Sequence, residues 1–356
     1  MELKNTYTVI GLMSGTSLDG LDVALCTFTK NKNKWAYKII EAKTFAYNKT
    51  WKEKLQKAHL LNAQEFWKLH VDFGRFSAQT VNQFLKVKKH KVNLIASHGQ
   101  TIFHQPQNSF TCQMGDGAAL AALTGITTAC DFRSTDVALG GQGAPLVPIG
   151  DDLLFTDYDA CLNIGGIANI SFTHKKQRLA FDICPTNLVF NFYANKGGMP
   201  YDKGGKLAAK GTVNQALLKK LNALSFYKNF KAKSLGREWI DEKVISLLEN
   251  ESISLSDKLA TAVEHSAFQT AKVLNYFNIK NVLITGGGAY NTYFIERIKH
   301  YTTTCQLILP DDKTIQFKEA LIFAFLGVLR LRNETNCLKQ VTGASKNNCG
   351  GALYKG

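Results

Sequence analysis

Apolar positions along the chain fall into short runs separated by glycine-rich turns, and the runs come in the same order twice. Residues 9–13 are apolar, 14–20 form a polar turn, 21–28 are apolar again, and 35–46 follow as a third extended run. This predicts three strands joined by tight turns. Residues 62–86 carry Phe66, Leu69, Phe73, Phe76, Val81 and Leu85 at roughly helical spacing, and 93–97 read as a further strand. The second half repeats the plan. Strands are expected over 161–164, 167–173 and 178–183, then a helix over 186–195, a long helix over 255–277, a strand over 281–285 and a helix over 291–301. Residues 317–331 are apolar on several helical faces, which predicts a helix buried between other elements.

A length of 356 residues exceeds the usual size of one hydrophobic core, so two lobes are expected. We place them at 1–135 and 136–316, with the segment from about 317 to 356 packing back on the first and the glycine-rich 140–145 as the crossing. With 45% hydrophobic and 20% charged residues the composition is that of a soluble enzyme. No apolar run approaches the roughly 20 residues that span a bilayer, and 9–13 is too short for a secretory signal, so no membrane partner and a cytoplasmic location are expected. The eight cysteines form no Cys-x-x-Cys pair, which argues for buried thiols over zinc or disulfides. The formal charge of +15 suits anionic ligands; its lysines do not interleave with aromatics, so no nucleic-acid partner is expected.

The turns carry the candidate chemistry. Ser14-Gly15-Thr16-Ser17-Leu18-Asp19-Gly20 offers unobstructed N–H groups and two hydroxyls suited to phosphate oxygens, although a plain hairpin would use the same residues. Asp19 and Asp22 suit a magnesium ion held through water. Gly165-Gly166 within 163–169 is the counterpart turn, and two such turns at equivalent points of both repeats favour a shared polyphosphate. Gly286-Gly287-Gly288 lets a flat ligand approach the backbone, or serves only as a link. Asp182 ends an apolar strand and suits a general base or a helix cap. Ser97-His98-Gly99-Gln100-Thr101, Asp116 and Arg133 suit a polyhydroxyl ligand with a carboxylate, and Glu319 is a lone acid among apolar residues.

These motifs resemble those of the anhydro-N-acetylmuramic acid kinases, in the sugar kinase, chaperone and actin superfamily. The resemblance runs from 11–20 through 97–101, 115–117, 131–133 and 140–148 to 285–291 and the helix with Glu319. It implies an α/β, duplicated ribonuclease-H-like (actin-like ATPase) two-lobed fold with a central cleft. It also implies hydrolysis of the 1,6-anhydro ring of an anhydro-amino sugar and phosphorylation of its O6, with ATP and Mg2+, in peptidoglycan recycling, and a homodimer. Asp182 is then the base. Gly15, Thr16, Ser17, Leu18, Asp19, Gly20, Leu21 and Asp22, with Gly165, Gly166, Asn169, Gly286, Gly287 and Gly288, hold the nucleotide. His98, Gln100, Thr101, Asp116, Arg133, Asn187 and Glu319 hold the sugar.

The chain departs from the family pattern where Cys184 and Thr186 replace glycines, where Ser134 and Thr135 replace basic residues, and near Ile149-Gly150, where an aromatic and a histidine are missing. A Cβ at 184 and 186 is expected to hinder close backbone approach or a positive φ. A kinase acting on another amino sugar and an ATP-binding regulator without chemistry stay open as alternatives.

Overall fold

The computed structural model describes residues 4–15, 17–32, 34–86, 90–230, 233–302 and 304–356. Strands β1 (Thr6–Ser14), β2 (Gly20–Asn31) and β3 (Lys34–Ala46) lead into helices α1 (Lys49–Lys57) and α2 (Ala63–Lys86). The hairpin of β4 (Leu94–Gln105) and β5 (Phe110–Met114) follows, then α3 (Gly117–Thr124), β6 (Thr128–Cys130), α4 (Ser134–Ala138) and α5 (Val147–Leu154). Next come β7 (Ala160–Ile164), β8 (Ile167–His174), β9 (Gln177–Pro185), α6 (Asn187–Lys196), α7 (Gln215–Asn222), α8 (Arg237–Trp239) and α9 (Ser246–Glu249). Helix α10 (Leu255–Tyr276), β10 (Asn281–Thr285), α11 (Thr292–Tyr301), β11 (Gln306–Ile308), α12 (Asp312–Leu331), α13 (Lys339–Thr342) and β12 (Ala352–Tyr354) complete the order.

The strands form two sheets. One runs β3-β2-β1-β4-β6-β12 with β5 added to β4, and the other runs β9-β8-β7-β10-β11. In each, three antiparallel strands precede two that join in parallel: β1 with β4 and β4 with β6, then β7 with β10 and β10 with β11. This shared order is the ribonuclease-H-like arrangement, present once in each half as the sequence repeat implies. The parallel strands are reached through crossovers that carry helices, so these sheets bury apolar side chains on their faces.

By packing, the chain divides into Met1–Phe155 with Phe317–Gly356, and Thr156–Gln316. The boundary therefore lies after α5 and not at 135, and the physical reason is a buried carboxylate. Asp136 in α4 accepts hydrogen bonds from the Gly143 N–H (2.8 Å), Thr342 Oγ1 (2.9 Å) and Asn348 Nδ2 (2.8 Å). Residues 140–145, expected as the crossing between lobes, are thereby fastened inside the first unit. Asp151 of α5 adds a buried ion pair to Lys318 of α12 at 2.8 Å.

Helix α12 is buried almost all round from Ala320 to Leu329 because two glycines admit it. A Cβ on Gly11 in β1 would strike the Ala320 carbonyl, and one on Gly327 would sit 2.6 Å from the Ala96 Cβ in β4. The residues after Asn333 complete the unit. Asn336 Nδ2 donates to the Leu326 and Gly350 carbonyls, and β12 pairs antiparallel with β6. In the second unit α10 carries the core, with Leu259, Val263, Ala267, Val273 and Leu274 packed among the buried side chains of β7 to β10.

Candidate functional site

In the first unit the β1–β2 turn is shorter than the motif. Gly20 and Leu21 already lie in β2: Leu21 is in the core, and a Cβ on Gly20 would meet the Phe45 carbonyl at 2.5 Å. What faces outward is Gly15, whose nearest neighbour to an added Cβ is 3.9 Å away, with exposed Ser17 and Asp19. Thr16 lies outside the described residues. Leu18 holds a left-handed φ of 56°, a conformation that costs a non-glycine residue about 1–3 kcal/mol and that clusters at functional sites. Asp22 accepts from Thr44 Oγ1 at 2.5 Å. Burial lifts its carboxyl above the ordinary range, the Thr44 bond opposes this, and the nearby Asp19 charge adds to it.

Behind this turn, Ser14 Oγ donates to Gln100 Oε1 (2.5 Å) and lies 2.6 Å from the Tyr47 hydroxyl. Residues 97–101 do not follow a strand but sit inside β4, where the pairing with β1 shifts register between Leu12 and Ser14 and Gly99 takes φ 72°. The bulge turns His98 towards Arg133. The guanidinium donates from Nη2 (2.8 Å) and Nε (3.3 Å) to His98 Nε2, and from Nη1 to the Gly143 carbonyl (2.7 Å). His98 Nδ1 is 2.8 Å from the Gly99 carbonyl, which assigns the proton to Nδ1. Burial and then the Arg133 charge push the His98 pKa down to about 3, so the ring is neutral. Burial lowers Arg133 to about 10, with Glu319 opposing.

Glu319 is reached by solvent but hemmed in by protein, and that desolvation raises its carboxyl above the usual range against the charges of Lys318 and Arg133. Thr101 Oγ1 lies 3.5 Å from Gln113 Nε2. Asp116 caps α3 by accepting from the Ala119 N–H at 2.5 Å, and its other oxygen lies 3.6 Å from His70 Nε2. One oxygen of Asp116 thus has a structural task as the cap of α3.

In the second unit three turns converge through the main chain. Thr186 N–H donates to the Gly166 carbonyl (2.9 Å), Thr186 Oγ1 to the Gly165 carbonyl (2.9 Å), and the Asn187 N–H to the Gly165 carbonyl (3.3 Å). The turn after β10 packs on the same place. A Cβ on Gly286 (φ 85°) would meet Asn163 Oδ1 and the Ile164 carbonyl at 2.7 Å, and one on Gly288 would collide with Ile164. Nothing lies within 4 Å of an added Cβ on Gly287. Of the three glycines, two fit the turn to the protein and one faces open space.

Asp182 sits next to a bulge in β9: Asn169 pairs with Asp182, Ala168 with Cys184, and Ile183 is the extra residue. Bulges of this kind re-aim a neighbouring side chain. Asn169 thus lies beside Asp182 and not in the glycine turn. Asp182 Oδ2 accepts the Leu235 N–H at 2.8 Å, and Oδ1 has no hydrogen bond among the described residues. Burial raises the Asp182 pKa, and the Leu235 bond opposes it. At the two departures from the family pattern the structure shows where each side chain goes. Cys184 points into the core, 3.5 Å from the Ser266 carbonyl, with burial pushing its thiol up to about 12. Thr186 has φ −134° and ψ −102°, so the position requires no positive φ, and its hydroxyl is held by the Gly165 carbonyl.

Sequence reasoning missed Tyr47 and Leu235. One is a lone aromatic after a strand; the other acts through its main chain, which leaves no trace in side-chain identity. Among the described residues no cluster of three or more His, Cys, Asp or Glu could hold a metal, and no helix is long and apolar enough to cross a membrane.

Comparison with known proteins gives consistent results. The family model described as anhydro-N-acetylmuramic acid kinase matches residues 7–356. The anhydro-N-acetylmuramic acid kinase of Vibrio parahaemolyticus is 34% identical over 99% of both chains. That of Gloeobacter violaceus is 35% identical over 95% of this chain and 96% of its own. Among solved structures, the Acidaminococcus fermentans (R)-2-hydroxyglutaryl-CoA dehydratase component A covers 92% of this chain and 99% of its own, at 14% identity and a TM-score of 0.47. With relatives aligned end to end and the family's motifs present in order, the chain belongs to the anhydro-N-acetylmuramic acid kinase family.

Proposed function

We propose that this chain opens the 1,6-anhydro ring of anhydro-N-acetylmuramic acid with water and phosphorylates the freed O6 from ATP, giving N-acetylmuramic acid 6-phosphate and ADP. The observation that carries the reading is the geometry of Asp182 beside the β9 bulge, with one oxygen fixed by the Leu235 N–H and the other without a hydrogen bond among the described residues. Such a carboxylate can take a proton from water as the water attacks the anomeric carbon, while O6 leaves that carbon and attacks the γ-phosphorus in line. The raised pKa of Asp182 makes it a stronger base than an ordinary aspartate.

Other residues have defined roles in this reading. Arg133, oriented by His98 and the Gly143 carbonyl, pairs with the lactyl carboxylate; Gln100, Thr101 and Glu319 bind sugar hydroxyls. Asn187 and Asn169 orient polar groups near Asp182. Gly15, Ser17 and Gly166 supply N–H groups to the phosphates, and Gly287 passes against the adenosine. Asp19 and Asp22 are close enough to repel, and a divalent cation relieves such a pair, so they fit magnesium held through water and phosphate. Bound there, magnesium would shield the phosphate charge against the attacking oxygen. The reading includes a cytoplasmic setting, a homodimer and no nucleic-acid partner.

Mass spectrometry of products from magnesium-ATP and 1,6-anhydro-N-acetylmuramic acid tests the reaction. The expected product is heavier than the substrate by one phosphoryl group and one water, and is reduced about 10²–10⁴-fold in an Asp182→Asn variant. Phosphorylation without the added water would overturn the coupled hydrolysis.

A further inference from the structure

Asp182 is gripped twice by a segment far away in sequence. Its own N–H donates to the Lys233 carbonyl (3.0 Å), and its Oδ2 accepts from the Leu235 N–H (2.8 Å). Residues 233–235 belong to no strand or helix, so this is a dedicated attachment and not a byproduct of sheet pairing.

The segment is itself anchored on both sides. The Lys233 ammonium donates to the Phe226 carbonyl (2.6 Å) and the Asn229 carbonyl (2.7 Å), and lies 4.1 Å from the centre of the Phe226 ring. The Leu235 side chain is buried in the core. Beyond Gly236, α8 runs into a π-helical turn over Ile240–Ile245, a widening that helices adopt mostly at functional positions.

We propose that residues 233–235 are the positioning element of Asp182, with the Leu235 N–H fixing one carboxylate oxygen so that the other faces the reacting water, and with the Lys233 ammonium holding that N–H in place. The inference rests on Asp182 being the base. A side chain on a bulge has more freedom than one in a regular ladder, and proton transfer requires the acceptor oxygen within hydrogen-bond reach. The N–H also favours the ionised form, so its loss raises the proton affinity of Asp182. A base must be unprotonated to act; the acid limb of the rate profile therefore moves to higher pH when the N–H is lost.

The experiment compares kcat and KM for the anhydro sugar across pH in the parent, Leu235→Pro, Leu235→Met and Lys233→Met. Proline deletes the N–H, and methionine keeps both the N–H and the bulk. Leu235→Pro should lose roughly 10–100-fold in kcat with KM for the sugar within about twofold, and its acid limb should shift upward. Leu235→Met should restore the parent profile, and Lys233→Met should show the same shift in smaller measure. An unmoved acid limb in Leu235→Pro overturns the proposal even if kcat falls, because a merely structural loop would lower the rate without moving the limb. If Leu235→Pro does not fold, Lys233→Met decides by the same criterion. Asp182→Asn separates the two readings. An inactive Asp182→Asn with an unmoved limb rejects the positioning role alone, and an active Asp182→Asn rejects both.

Discussion

The two units share a strand order but present their strand ends to ligands differently. In the first, the ends of β1 and β4 are dressed with side chains in a buried network: Ser14 with Gln100 and Tyr47, and His98 with Arg133. In the second, the equivalent ends are almost bare: the 165–166 turn is tied to 186–187 through carbonyls and N–H groups, and the 286–288 turn packs against Asn163 and Ile164. Side chains in a fixed network can read the shape and charge of one sugar. Bare main chain suits phosphates, which vary little and need only donors. One duplicated scaffold thus carries two kinds of strand end, one dressed with side chains and one built largely from main chain.

The contrast can be broken most severely at Gly286. Gly286→Ala forces a Cβ against the Ile164 carbonyl at positive φ, and we expect a loss of about 3 kcal/mol in unfolding free energy, measured by urea denaturation. Gly287→Ala meets open space and should stay within about 0.5 kcal/mol of the parent. A rise in KM for ATP in Gly287→Ala, with stability kept, would place the nucleotide against this turn.

On the side-chain half, Arg133→Lys keeps the charge but cannot reproduce the guanidinium fork to His98 and Gly143. KM for the anhydro sugar should rise roughly 10–100-fold, the worth of about one charged hydrogen bond, while KM for ATP stays unchanged. A rise in both constants would mean that the two recognition tasks are not separated.

Each unit also buries one neutral histidine: His98 in the first and His265 in the second, both held down to about 3 by burial, with Arg133 adding to His98. Because the folded pKa lies below the unfolded value, their contribution is complete above about pH 6.5 and is lost as pH falls towards 3. Each should cost about 1.4 kcal/mol of stability per pH unit in that window. Denaturation at pH 7 and pH 5 checks this, and His265→Gln should remove only the second unit's share. The smallest effect is expected at Cys184, where Cys184→Ala should cost about 1 kcal/mol by creating a small core cavity and leave kcat unchanged.

Much of this was legible in the sequence because strands buried on one or both faces leave apolar runs, and β1, β2, β3 and β7 to β10 fall where those runs lie. Strands β6, β11 and β12 span three residues each, too few for any period to show. Helix α3 is mostly alanine and leucine with no polar stripe, so nothing distinguished it from a loop. Residues 97–101 read as a loop because polar residues and Gly99 interrupt the apolar run, whereas a bulge lets the strand continue. Within the site, the glycine motifs marked their turns, but not which glycines face a ligand. That depends on what lies opposite each Cα: Ile164 for Gly286 and Gly288, and nothing for Gly287.

The first unit is interrupted by the whole of the second. Its β1 and β4 are covered by α12, and its sheet gains β12, only from residues made after 316. During synthesis the second unit, contiguous from Thr156 to Gln316, can acquire its full set of partners while still attached to the ribosome. The first must wait with an uncovered apolar sheet face until α12 emerges, so premature termination anywhere in the last forty or so residues strands the earlier-made unit and spares the later one.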